Sequence, residues 1–254
     1  MIIDAHLHAD CRPVEDFKNM NMAGVNAIVS CAYDPLDMNK SNVSFEHFNR
    51  IINRETKRVE NEGIKLFCAV GVHPRAIPID YDKVIEKLPE YLEKNNVIAI
   101  GEIGLERADE LEQEVFIKQL KLADENDYNI IVHTPRTNKI EVTKKIIELL
   151  DEHINPKLVQ LDHVDFSIID SLIDKDYTLG ITIQPLKMST EETVKMLEEY
   201  GYDKFVLDSD ISYAPSNPMS LPETKHELEK NGVNKNSIDK VMYKNVLKFH
   251  KINL

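Results

Sequence analysis

Short apolar, strand-like runs alternate with longer amphipathic stretches from one end of the chain to the other. The apolar runs predict strands at Ile2–His6, Val25–Cys31, Ile64–Val72, Val97–Gly101, Asn129–His133, Lys157–His163, Tyr177–Gln184 and Lys204–Asp208. Between them, apolar residues recur at helical spacing. Phe45, Phe48, Ile52 and Val59 share one face of a helix over Phe45–Glu62, and Val84, Leu88, Tyr91 and Leu92 one side of Tyr81–Asn95. Further helices are expected at Val14–Met22, Leu111–Asp127, Glu141–Leu150, Phe166–Lys175, Leu221–Lys230 and Ser237–His250, and Ser189-Thr190-Glu191-Glu192 reads as a capping box that opens another. Tyr33–Ser44 reads as a polar loop long enough to move, and the pattern leaves open whether it is a lid. Eight strands alternating with helices in 254 residues predict a single (β/α)8 TIM barrel spanning 1–254. A doubly wound open sheet is the alternative.

In a barrel of this kind the chemistry sits at the C-terminal ends of the strands, and here those ends carry metal-ligand residue types. Residues two apart on a strand point to one side, so His6 and His8 project together. Later strand ends add His73, Glu102, His133, His163 and the run Asp208-Ser209-Asp210. Five of the nine histidines fall at such ends, whereas His47, His153, His226 and His250 sit in helical or loop segments. A lone strand-end histidine is more often a hydrogen-bonded barrel residue than a ligand; five at one rim point to a hydrolytic metal site. Imidazole and carboxylate together suit zinc, manganese, iron or cobalt better than calcium. Glu102 can bridge two ions, which acidify a shared water, and Asp210 can orient that water and take its proton. Arg75 and Arg136 are the best residues for gripping an anionic substrate group, with Lys187 a weaker one. Asp162, next to His163, is expected to face the helix layer, and Asp4 to orient an imidazole. Cys31 is expected to be a buried, inert thiol.

Charge and cysteines narrow the setting. Lys plus Arg is 31 against 44 Asp plus Glu, a formal net charge of −13, so any nucleic-acid substrate must be held by bound metals or a local basic patch. Cys11, Cys31 and Cys68 form neither a disulfide framework nor a zinc ribbon and read as reduced cytoplasmic thiols. No signal peptide is evident and no stretch has the ~20 apolar residues of a membrane helix. The charged helix faces suggest no protein partner.

The ordered set Asp4-Ala5-His6-Leu7-His8, Gly71-Val72-His73-Pro74, Ile100-Gly101-Glu102-Ile103-Gly104-Leu105, Ile131-Val132-His133-Thr134, Asp162-His163 and Leu207-Asp208-Ser209-Asp210 resembles that of the TatD-like metal-dependent hydrolases, which have amidohydrolase-type barrels. Asn245 and Phe249 resemble the family's C-terminal Asn-x-x-x-Phe. The resemblance implies a first metal held by His6, His8, Glu102 and Asp210, and a second by Glu102, His133 and His163. It also implies that Asp210 orients the nucleophile and that His73 contacts substrate. One or two divalent ions are expected, zinc first, with magnesium or manganese as alternatives.

The departures fall on residues that face the substrate. Pro135 separates Thr134 from Arg136, where the family often has His-Thr-Arg. His163-Val164-Asp165 replaces His-Cys-Phe, Glu106 stands where Asp is common, and Ala214-Pro215 arrives late. The expected activity is phosphodiester hydrolysis of the deoxyribonuclease type, on single-stranded nucleic acid or a small molecule. Hydrolysis of a small amide, lactone or ester is the alternative enzyme reading, and a metal-binding protein without turnover is a third.

Overall fold

The computed structural model describes residues 1–32 and 38–254. Strands β1 (Ile2–Leu7), β2 (Val25–Cys31), β3 (Lys65–Ala69), β4 (Val97–Gly104), β5 (Ile130–His133), β6 (Val159–Leu161), β7 (Thr178–Thr182) and β8 (Phe205–Asp208) lie side by side in sequence order, each parallel to the next. Just beyond the strand ends β8 returns to β1: Asp210 N donates to His6 O at 2.9 Å and His8 N to Ile211 O at 3.0 Å. The result is a nearly closed eight-stranded barrel, as the alternating pattern predicts.

The connecting segments supply α1 (Val14–Met22), α2 (Ser41–Asn49), α3 (Thr56–Glu60), α4 (Tyr81–Leu92), α5 (Glu110–Asn126), α6 (Lys139–His153), α7 (Thr190–Tyr200) and α8 (Ser220–Lys230), and α9 (Lys235–Asp239) and α10 (Asn245–His250) close the chain. The strands are covered on both faces, which is why they read as nearly continuous apolar runs. One face packs against the helices through residues such as Ile28, Leu66, Ile100 and Val132. The other forms a separate inner cluster with Ile3, Ala5, Ala27, Ala69, Ala99 and Val206, whose small residues fit the crowded barrel interior.

Three predicted elements differ. The loop expected at Tyr33–Ser44 is already helical from Ser41, because Asp80, distant in sequence, accepts Ser41 N–H at 2.7 Å and its hydroxyl at 2.8 Å. Positions 33–37, and with them the question of a lid, lie outside the described residues. The helix expected at Phe166–Lys175 is a single 3-10 turn, Ile169–Ser171. Asp165 and Ser171 divert local backbone groups there: Asp165 accepts Ser167 N–H at 2.9 Å and Ser171 Oγ donates to Ile168 O at 2.7 Å. Strand β4 runs on to Gly104, so Glu102 sits inside the strand rather than after it.

His250 illustrates the cost of a buried ring without partners. Neither of its ring nitrogens has a hydrogen-bond partner among the described residues, and burial pushes its pKa down from 6.5 to about 3. Above 6.5 the ring is neutral folded or unfolded, so it imposes no pH-linked cost. As pH falls below 6.5, the unfolded chain takes up a proton that the folded chain refuses, and stability is lost progressively towards about pH 3. Between pH ~6.5 and ~5 this amounts to about 2 kcal/mol. Urea unfolding of wild type and His250→Leu at both pH values checks it: the variant should lose about 2 kcal/mol less on acidification, and equal losses would refute the assignment.

Candidate metal centre

At the C-terminal mouth of the barrel the far-apart residues of the sequence pattern converge on one carboxylate, Glu102. Its Oε1 lies 3.1 Å from His133 Nδ1 and 3.2 Å from His163 Nε2. Its Oε2 lies 3.5 Å from His6 Nε2, 3.8 Å from His8 Nε2 and 3.7 Å from His73 Nε2. Asp210 joins the other side, with Oδ1 3.1 Å from His8 Nε2. All are buried. Burial opposes charge on Glu102, but His6, His133 and His163 outweigh it and hold the carboxyl well below the usual range. Asp210 is likewise held low against burial, chiefly by the Lys187 ammonium and then by His8.

Each ring is turned by a partner behind it. His6 Nδ1 pairs with Asp162 Oδ2 at 2.8 Å. His8 Nδ1 donates to Cys31 O at 3.1 Å. His133 Nε2 meets Glu106 Oε2 at 2.9 Å, and His163 Nδ1 meets Thr182 Oγ1 at 2.7 Å. Such outer partners fix tautomer and ring orientation in metal sites. For His8 the tautomer follows from geometry: a carbonyl only accepts, so Nδ1 carries the hydrogen and Nε2 of the neutral ring presents a lone pair. That lone pair faces two carboxylates. His6 shares the geometry, with Nδ1 on a carboxylate and a buried Nε2 that has no hydrogen-bond partner among the described residues. Burial opposes charge on this ring, yet its anionic surroundings, Glu102 and Asp162 among them, raise its pKa well above the usual imidazole value, so the spot favours positive charge. Acceptor facing acceptor in a buried site is unfavourable unless a cation lies between. The donor set therefore fits a divalent ion.

Three sets of donor atoms lie within 4.8 Å of one another: His6 with Glu102 and His163, His6 with His8 and Asp210, and His73 with Glu102 and His133. The last is the poorest holder. His73 Nδ1 accepts Arg75 N–H at 3.1 Å, so the ring hydrogen is on Nε2, and burial keeps the ring neutral. His73 is positioned by Gln119 of α5, which accepts Val72 N–H at 2.8 Å and donates to Val72 O at 3.1 Å.

Two expectations are corrected. Asp162 does not face the helix layer: it points into the barrel against His6, Gln160 donates to it at 2.9 Å, and a Cβ on Gly180 would lie only 2.0 Å from its Oδ1. Strand alternation should then turn His163 outwards, but His163 takes left-handed backbone (φ 63°) and swings back to the mouth. Asp4 does not orient an imidazole. It accepts Ser209 N–H at 3.0 Å and the Ser209 hydroxyl at 2.5 Å, anchoring the turn that delivers Asp210, itself left-handed at φ 42°. Cys31 is buried as expected, and desolvation pushes its thiol up to about 12.

Beside the cluster opens a cavity of about 210 Å³, with Arg75, Arg136, Lys187, Glu106 and Tyr213 on its walls. Arg75 Nε lies 3.6 Å from Glu106 Oε2 and Arg136 Nη2 donates to Gln184 Oε1 at 3.2 Å. Gln184, which the sequence reading passed over, also donates to Asp210 Oδ2 at 2.9 Å. A larger cavity of about 570 Å³ opens at the opposite end of the strands, near Asn129 and Thr178, where none of these donor sets lies.

An eight-stranded parallel barrel with imidazoles and carboxylates gathered at its mouth is the architecture of a metal-dependent hydrolase. The TatD related DNase family model matches residues 3–251. An uncharacterized metal-dependent hydrolase of Methanocaldococcus jannaschii is 40% identical over 253 residues, 99% of this chain and 100% of the relative. The crystal structure of a TatD-like protein from Archaeoglobus fulgidus superposes with a TM-score of 0.83 at 29% identity, covering 98% of this chain and 100% of the other. The phosphotriesterase homology protein of Escherichia coli, solved with phosphate in its active site, shares the fold at a TM-score of 0.74 and 17% identity, with 98% of each chain covered. The chain belongs to the TatD family of metal-dependent hydrolases.

Proposed function

We propose that this hydrolase cleaves phosphodiester bonds, with a deoxyribonuclease as the specific case, and that His6, His8, Glu102 and Asp210 hold one divalent ion while Glu102, His133 and His163 hold a second. The observation that carries the substrate reading is the placement of Arg75, Arg136 and Lys187 on the walls of the cavity beside these donors. These three cations share the walls with Glu102, Glu106 and Asp210, so once divalent ions are bound the mouth would carry excess positive charge where an anionic group enters, in a chain of net charge −13. The chemistry that divalent ions supply to such donors is acidification of a water and polarisation of the oxygen under attack. Asp210 orients the attacking water and takes its proton, and Arg75 and Arg136 grip the non-bridging phosphate oxygens. His73, whose Nδ1 accepts Arg75 N–H, presents its Nε2–H to the substrate side of the centre. Zinc suits the donor set best. A cytoplasmic setting accords with Cys11, Cys31 and Cys68, none of which forms a disulfide among the described residues.

The small cavity supports a second reading, hydrolysis of a compact ester, lactone or amide. Chelator-stripped protein reloaded with zinc, manganese or magnesium and offered single-stranded DNA, a chromogenic phosphodiester and a lactone and amide panel separates the two. On the phosphodiester, Arg75→Ala and Arg136→Ala are each expected to raise KM about tenfold, the worth of one charge-assisted contact. Turnover confined to neutral substrates, unchanged in both variants, would overturn the phosphodiester reading. Stoichiometric metal without turnover would leave a metal-binding protein.

A further inference from the structure

The loop after β7 places an ammonium inside the metal centre. Leu186 adopts left-handed backbone (φ 71°) and is 87% exposed, while Lys187, next in the chain, turns inwards and its side chain is only 8% exposed. Lys187 Nζ donates to Asp210 Oδ2 and lies 2.9 Å from His163 Nδ1. These two neighbours, one carboxylate and one ring, fall in different proposed ion sets, Asp210 in the first and His163 in the second.

The contact with His163 restricts that ring. An ammonium can only donate, so a hydrogen bond from Lys187 requires a lone pair on Nδ1. The ring hydrogen of a neutral imidazole is then on Nε2, where it faces Glu102 Oε1 at 3.2 Å. In this tautomer His163 has no lone pair left for an ion. Ligation through Nε2 needs the hydrogen on Nδ1, donated to Thr182 Oγ1 at 2.7 Å, and the bond from Lys187 is then lost. Lys187 bound to His163 and His163 bound to an ion exclude each other.

We propose that Lys187 is a positioning residue that holds His163 in its non-ligating tautomer, so that the second ion loads only by displacing the ammonium and is held more weakly than the first. The inference rests on the assignment of Glu102, His133 and His163 to the second ion. Once displaced from His163, the ammonium remains on the cavity wall, still paired with Asp210, where an anionic substrate would meet it.

Zinc titration of chelator-stripped protein against a competing chelator tests this without measuring turnover. Wild type should bind a first ion tightly and a second more weakly. Lys187→Met should strengthen the second about 10- to 100-fold, and Thr182→Val, which removes the acceptor for Nδ1–H, should weaken it by a similar factor. Ring nitrogen NMR of stripped wild type gives an independent reading that needs no variant to fold: His163 should carry its hydrogen on Nε2 and shift it to Nδ1 on zinc saturation. Two ions bound with an unchanged second affinity in Lys187→Met, or an Nδ1–H ring in stripped wild type, would overturn the role of Lys187 alone. Failure of wild type and Lys187→Met alike to take a second ion would overturn the second set itself, and the inference with it.

Discussion

Glu102→Gln is expected to release both ions while leaving the barrel folded. Glu102 is the side chain shared by the two proposed sets: Oε1 faces His133 and His163, and Oε2 faces His6, His8 and His73. Glutamine keeps the shape but replaces one oxygen with a group that donates and offers no lone pair. It also removes the charge that two cations would share. Each ion should bind on the order of 10²-fold more weakly or worse, since even outer-shell changes cost 10- to 100-fold. Elemental analysis of dialysed protein should find little metal in the variant. Without metal, the variant should melt below wild type, because His6, His133 and His163, which hold the Glu102 carboxyl ionised against burial, lose that partner. A full metal complement in Glu102→Gln would remove the basis for a shared centre.

Asp210→Asn is expected to cost turnover far more than metal. Asp210 divides its carboxylate between two tasks: Oδ1 faces His8 at 3.1 Å, and Oδ2 is held by Gln184 at 2.9 Å and by Lys187. Asparagine occupies the same space but cannot take a proton from water and no longer balances the ammonium. Loss of a positioned base typically costs ~10²- to 10⁴-fold in rate, so kcat should fall by about 10³-fold with KM little changed. The proposed second set does not include Asp210, so at least that ion should survive. Steady-state kinetics on the metal-loaded variant, with metal content measured on the same sample, checks both statements. Wild-type kcat in Asp210→Asn would assign proton transfer to another group.

The sequence by itself determined the barrel and the chemical character of its mouth. Strand and helix periodicity are local, set by neighbours along the chain, so the runs at Val25–Cys31 and Val14–Met22 match the folded elements to the residue. The His6-Leu7-His8 spacing likewise fixes two rings on one side, and their centroids lie 5.1 Å apart. What the tertiary structure alone decided is which atom of each ring faces the centre. Asp162, 156 positions from His6, sets the first ring. The left-handed turn at His163 overrules strand alternation, and it is not written in a β-branched or glycine signal. Lys187 and Gln184 reach Asp210 only because β7 and β8 are neighbours in the closed sheet. Periodicity tells a side chain which face of its own element it occupies; a tautomer, a hydrogen-bond partner and a buried charge depend on what another element brings opposite it.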